Sequence, residues 1–288
     1  MHTPKTISTD LPTTAGISTD HTSALRTENV TLSWDKHVVS TDLSVDIPTG
    51  KFTAIIGPNG CGKSTLLKSC ARILAPDTGS IYLNQHNLTH LHTKEIAKQL
   101  ALLPQSTITP ADITVEELVR RGRFPHHNWL HQWTAEDTRA VDAALNAASV
   151  KELTHKRVTD LSGGQRQRVW LAMVLAQNTP TVLLDEPTTF LDIAHQYQLL
   201  ELARSLTTQL NRTVVAVLHD LQQAVRYADH LIVMKNGSIV ATGSPQEVIS
   251  AELISEVFNI TVRTMLIDDQ LIVIPTELPV PNVAMMQD

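Results

Sequence analysis

Residues 57–65 read Gly57-Pro58-Asn59-Gly60-Cys61-Gly62-Lys63-Ser64-Thr65, with glycines spaced ahead of a lysine and two hydroxyls. Glycine lets the backbone turn its N–H groups inward on an anion without Cβ clashes. A lysine at this spacing reaches the β- and γ-phosphates of a nucleotide, and the hydroxyl after it ligates Mg²⁺. The flanking segments suit that chemistry. Phe52–Ile56 is a short apolar run that predicts a buried strand, and residues 64–74 predict a helix whose N-terminal dipole favours an anion. Cys61, close to that helix start, is a candidate reactive thiol because the local field lowers a thiol pKa. The alternative is a small residue tolerated in the loop.

A second phosphate-directed segment is Leu161-Ser162-Gly163-Gly164-Gln165. It places glycines after a capping hydroxyl and before a helix, another nest of N–H groups for a phosphate. Taken alone, Ser162 and Gln165 also satisfy a capping box. Chance occurrence of the pentapeptide is well under roughly one chain in a thousand at average composition, which weighs against a cap alone. The segment Thr181-Val182-Leu183-Leu184-Asp185-Glu186-Pro187 then reads as a strand ending in two adjacent carboxylates, Asp185 and Glu186. Asp185 is placed to hold Mg²⁺ through water, since that ion dehydrates reluctantly. Glu186 is placed to polarise an attacking water.

Over about residues 25–260 these motifs, in this order, resemble the ATP-binding cassette (ABC) ATPases. The resemblance implies an α/β phosphate-loop NTPase fold: a RecA-like core sheet, an antiparallel β subdomain and an inserted helical subdomain. It implies that Gln105 touches Mg²⁺ and links the core to the helical subdomain. Asp192, in Thr189-Phe190-Leu191-Asp192, is then expected to communicate across a dimer, and His219 to contact the γ-phosphate. Trp34 occupies the place of an adenine-stacking aromatic, more often Tyr in the family; such stacking is worth about 1–3 kcal/mol.

The resemblance also implies ATP and Mg²⁺ as the bound species, and a head-to-tail pair of copies. Ser162, Gly163, Gly164 and Gln165 of one copy close over ATP held by the phosphate loop of the other. Polytopic membrane permease subunits are the expected partners, with an extracytoplasmic substrate-binding protein acting indirectly. The expected location is peripheral, on the cytoplasmic face of the membrane. Arg121-Gly122-Arg123-Phe124-Pro125-His126 and the run from Phe190 to Gln196 resemble segments of cassettes from iron(III)–siderophore, haem and vitamin B12 importers. The expected activity is ATP hydrolysis that energises import of an iron(III)–siderophore-type chelate. A haem or B12 importer cassette and a non-transport ABC ATPase are the alternatives. Arg120, Arg121 and Arg123 are expected near the permease's coupling helix, or else to form a solvated basic edge.

Composition is compatible with these readings. A chain of 288 residues holds one large domain or two small ones. Its net charge of −6 gives no global reason to bind nucleic acid. No apolar run approaches the ~18 residues of a membrane helix, and no cationic, apolar leader opens the chain. Two cysteines, Cys61 and Cys70, exclude a disulfide scaffold and favour a reducing cytosol. Residues 1–24 hold ten Ser or Thr and predict a flexible tail.

From residue 25 to 260 strands and helices are expected to alternate as one ATPase domain, with helical signals dominating about 106–170. Residues 261–288 read as a β-like extension and tail. Thr114, Thr134 and Ser244 open helices as N-caps, and Asn236-Gly237 makes a hairpin. His90, His92, His126, His127 and His131 suggest a metal site by number, but their spacing lacks a zinc-like pair backed by Cys or carboxylate.

Overall fold

Three strands in succession open the described residues, where alternation with helices was expected. The computed structural model describes residues 23–106, 112–127, 133–268 and 270–277. Residues 1–22, His131 and 278–288, on which the expectations of a tail at each end and one histidine fall, lie outside them. Strand β1 (Ser23–Trp34) starts inside the segment read as tail. It turns through Asp35 and Lys36, both at positive φ as a tight primed turn requires, into β2 (His37–Pro48). Alternate residues such as Leu25, Val30 and Leu32 are buried, which is why this segment pairs as a one-sided antiparallel strand.

Strand β3 (Phe52–Ile56) is buried along its whole length, and α1 (Lys63–Cys70) follows the phosphate loop. The helix ends four residues before the expected limit. Arg72 takes φ +57 and Ile73 N donates back to Lys68 O at 2.9 Å, the closure of a helix terminus. Then come β4 (Thr78–Leu83), β5 (His86–Asn87), α2 (Thr93–Gln99) and β6 (Leu100–Leu103). Helices α3 (Val115–Arg121), α4 (Ala135–Ala147) and α5 (Gly163–Ala176) are opened by Thr114, Thr134 and Ser162, each closing a capping box. Strand β7 (Thr181–Asp185), α6 (Ile193–Leu210), β8 (Thr213–Val217), α7 (Leu221–Tyr227), β9 (His230–Lys235) and β10 (Ser238–Gly243) rebuild the α/β core. The chain continues through α8 (Pro245–Val248), α9 (Ala251–Phe258) and the hairpin β11 (Thr261–Ile267)–β12 (Gln270–Glu277).

Two sheets position the site. One has the order β10-β9-β3-β8-β7-β6 and is parallel except for β10; the other, β2-β1-β4-β5, is antiparallel. Helices α3, α4 and α5 bury a core of their own around Val115, Leu118, Val141, Leu145, Val169 and Ala172. Gln177, just past α5, ties them to α2 and β6 by donating to Ala97 O and Leu100 O at 2.6 and 3.0 Å.

Within the helical part, Arg123 departs from expectation. It is 2% exposed, so it forms neither a docking surface nor a basic edge. Its Nε donates to Asp137 Oδ1 at 2.8 Å and its Nη1 to Ala176 O at 3.0 Å. Arg120 lies 3.9 Å over the Trp133 ring, and Arg121 is exposed. Burial opposes ionisation of Asp137. Hydrogen bonds from Thr134, Arg123 and His127 outweigh it and hold the carboxyl far below the usual range.

Asp137→Ala strands a buried guanidinium and removes the α4 cap partner, and is expected to cost about 3 kcal/mol in a urea titration. Because the folded pKa is depressed, the pair's contribution is present above the unfolded pKa of about 4 and is lost as pH falls through the folded value. The gap between wild type and variant should therefore narrow below about pH 4.

Candidate functional site

The phosphate loop leaves β3 in the middle of the parallel sheet. Gly57 has φ +153, and a Cβ there would stand 2.1 Å from Met234 O, so only glycine lets the loop pass that close to β9. The loop curls around its own lysine. Lys63 Nζ donates to Gly57 O at 2.8 Å and Pro58 O at 2.9 Å; its remaining neighbour is the Cys61 sulfur, a weak acceptor 4.0 Å away. Helix α1 has no side-chain cap and no acid in its first turn, so its leading N–H groups and positive dipole end are left for an anion.

Strand order supplies the other side chains. The neighbours β3, β8, β7 and β6 run parallel, and the segments leaving their carboxyl ends carry Ser64 (at the start of α1), His219, Glu186 and Gln105 in the same order. Ser64 Oγ donates to Asp185 Oδ1 at 2.6 Å. Glu186, at φ +50, holds His219 Nε2 at 2.6 Å on one oxygen and accepts from Gln105 Nε2 at 2.6 Å on the other. Asp185 is fully buried, and its Oδ2 has no hydrogen-bond partner. Burial raises its pKa, against the Ser64 hydrogen bond and the positive charge of Lys68. A buried carboxylate oxygen without a partner, beside a serine hydroxyl and an amide, is an oxygen donor set suited to Mg²⁺.

These groups open on a cleft of about 410 Å³. Trp34, Asn59, Gly60, Gly62, Lys63, Ser64 and Thr65 line it on the loop side, with Gln105, Glu186 and His219 opposite. Gly57 and Pro58 contribute the carbonyls behind Lys63. Cys61 is not a surface thiol. It is 4% exposed, and burial raises its pKa against the opposing charge of Lys63.

Ser162, Gly163, Gly164, Gln165 and Asp192 are absent from the lining. Ser162 and Gln165 form the capping box of α5, with N–H···O distances of 3.1 and 3.2 Å, and Ser162 and Gly163 are exposed. Asp192 caps α6 and accepts from His195 N at 2.9 Å, with His195 Nδ1 2.7 Å from the same oxygen. The pentapeptide packs on the segment just ahead of Asp192, since Gly163 lies against Phe190 and Gly164 against Leu191. Val39, on β2, also lines the cleft and was missed from sequence; the short β1–β2 turn beside Trp34 was the signal that could have found it. Among the described residues no group of three or more His, Cys, Asp or Glu is arranged to hold a metal.

The ABC transporter family model matches residues 40–189. The chain is 49% identical over 266 residues to the ferric enterobactin transport ATP-binding protein FepC of Escherichia coli K12, covering 92% of this chain and 97% of that one. This chain belongs to the ABC transporter family. It is also 47% identical to the petrobactin import ATP-binding protein FpuD of Bacillus anthracis, over 82% of this chain and 86% of that one. Among solved structures it is similar to the dimeric ATP-binding cassette MJ0796 in a post-hydrolysis state with ADP and Pi. The TM-score is 0.69 at 27% identity, covering 77% of this chain and 98% of that one.

As an ABC transporter ATP-binding subunit the protein binds ATP and is an ATPase coupled to transport. Cassettes of this family form dimers and work with membrane permease partners. Among the described residues no helix is long and apolar enough to cross a membrane itself.

Cys61 and Cys70 are both buried, and the Cys70 thiol is pushed up to about 12. Both are expected to resist iodoacetamide at pH 8 in the folded protein and to label at once in urea, read by intact mass. Rapid labelling of native protein at Cys61 would restore the reactive-thiol reading.

Proposed function

We propose that this chain is the ATPase subunit of an iron(III)–siderophore importer, acting as a pair of identical copies on the cytoplasmic face of the membrane. The observation that carries the ATPase assignment is Glu186 held between Gln105 and His219 beside the Ser64–Asp185 contact. The substrate class is supported by the relatives, whose names specify ferric enterobactin, petrobactin and iron(3+)-hydroxamate.

Each residue has a distinct task in this reading. Trp34 stacks on the adenine. The loop N–H groups from Gly57 to Thr65 cradle the phosphates, and Lys63 offsets charge on the β- and γ-oxygens. Ser64 and Gln105 would hold Mg²⁺, and Asp185 would do so through water. The ion, when bound, screens the negative charge of the transferring phosphoryl group. Glu186 accepts the proton of the attacking water on a lone pair that its two present partners leave open. His219, freed from Glu186, donates to the γ-phosphate. The fourth wall comes from the second copy: the exposed start of α5, with Ser162 to Gln165, supplies N–H donors and a positive helix end. Asp192 meets the partner across the same surface. ATP thereby joins the copies, and hydrolysis releases them.

In the assembly an extracytoplasmic binding protein delivers the chelate to the permease, and this subunit never touches it. Exposed Arg121, with Arg120, is the part of the 121–126 segment left to meet the permease, since Arg123 is buried.

Glu186→Gln is expected to bind ATP normally, to lose about 10²–10⁴-fold in turnover and to elute as a dimer with ATP on size exclusion. Near-normal turnover would remove Glu186 from the role of base. Lys63→Ala should lose ATP affinity, whereas Ser162→Arg should keep monomer affinity and lose hydrolysis. Mixing these two inactive variants should restore partial activity, because one of the two composite sites is then intact.

Deletion of the gene is expected to abolish growth on ferric siderophore as sole iron source, with rescue by readily absorbed iron. A defect confined to haem or B12 would transfer the subunit to those importers.

A further inference from the structure

Lys68 lies on α1 one turn past Ser64, half-buried between buried neighbours Leu67 and Ser69. Among the described residues it forms no ion pair. Its ammonium instead stands 4.7 Å from the centroid of the Trp34 ring. Trp34 ends β1 at the rim of the nucleotide cleft and is 51% exposed, with little packing to fix its indole. A stacking platform works only if the ring is already oriented when the base arrives, because ordering it on binding reduces affinity. A cation over the ring supplies that restraint through the aromatic quadrupole.

The helix makes the restraint specific. Ser64 and Lys68 are four residues apart on α1, a rise of about 6 Å, so both project from one helix face. The element that presents the phosphate-end hydroxyl therefore also fixes the base-end aromatic, at a set separation along one rigid body.

We propose that Lys68 is a positioning residue for the nucleotide base: its ammonium holds the Trp34 indole as a stacking platform, so that affinity for a nucleotide over bare polyphosphate depends on it. This rests on the reading of Trp34 as the base platform. The competing role for Lys68 is attraction of phosphate by its charge, which already reaches Asp185. The two roles separate by ligand, since only one of them requires a base.

The test uses the full chain and four variants: Lys68→Met, which keeps the apolar stem, Lys68→Arg, Trp34→Ala, and Lys68→Met with Trp34→Ala. Titration calorimetry with Mg²⁺ measures the Kd of ATP and of inorganic tripolyphosphate, and steady-state hydrolysis gives kcat and KM. Lys68→Met should weaken ATP about two- to five-fold and raise KM with kcat kept, while tripolyphosphate is unaffected. Lys68→Arg should restore ATP affinity, which also shows that the site folds with a changed side chain. In the Trp34→Ala background Lys68→Met should add nothing.

Equal weakening of ATP and tripolyphosphate would overturn the proposal in favour of a phosphate-charge role. So would a full effect of Lys68→Met that persists without Trp34, or an ATP affinity that Lys68→Met leaves unchanged. Trp34→Ala distinguishes the two levels of failure. If it leaves ATP affinity intact, the stacking reading itself falls and this inference with it. If it weakens ATP while Lys68→Met does not, only the role of Lys68 falls.

Discussion

The hydrogen bond from Ser64 to Asp185 ties the start of α1 to the carboxyl end of β7, two strands away from β3 across β8. It sits where a parallel sheet exposes its carboxyl edge, the place where open α/β sheets bind ligands. One partner is fully buried and has a second oxygen with no donor. An unsatisfied buried carboxylate is costly to keep, and the sheet keeps it because β3, β7 and β8 are buried along their lengths and hold its position rigidly. Polar chemistry is thus concentrated at one edge of an otherwise apolar core.

From that edge the remaining groups follow by strand adjacency. His219 leaves β8, Glu186 leaves β7 and Gln105 leaves β6, and each side chain hydrogen-bonds across one inter-strand gap. Adjacent parallel strands lie about 4.8 Å apart, so residues at matching ends meet without long side chains reaching far. A register slip in any one strand would break the chain of contacts. The left-handed backbone of Glu186 is the local strain this arrangement carries, and such strain gathers at sites where geometry matters more than local stability.

The helical part departs from this plan. It has its own apolar core, and its polar attachments run to backbone carbonyls of the main domain: Gln177 to Ala97 in α2 and Leu100 in β6, and Gln167 to Pro187 just past β7. The capped start of α5, Ser162 to Gln165, lies outside the lining of the cleft of its own chain. On the proposed reading a second copy supplies that segment, in keeping with a family whose cassettes form dimers.

Local chemistry was legible from sequence wherever a short stretch satisfied itself. Caps at Thr114, Thr134, Ser162 and Ser244, the Asn236-Gly237 turn and the apolar strands β3, β7 and β8 depend on neighbours within a few residues, and each appears where the residues predicted it. Motif spacing also named the phosphate-loop residues that line the cleft, because that loop is one continuous segment, whereas Trp34, Gln105 and His219 came from the family resemblance. Tertiary structure decided what depends on distant partners. Arg123 reads as a surface charge until Asp137 and Ala176 enclose it, and Cys61 as a reactive thiol until it is buried in an apolar cluster with residues of α1 and β9. Neither Val39 in the cleft nor Lys68 over Trp34 is visible in a linear string. Side chains more than a few residues apart meet only after strand order is chosen, and that choice follows from how the whole core buries its apolar surface.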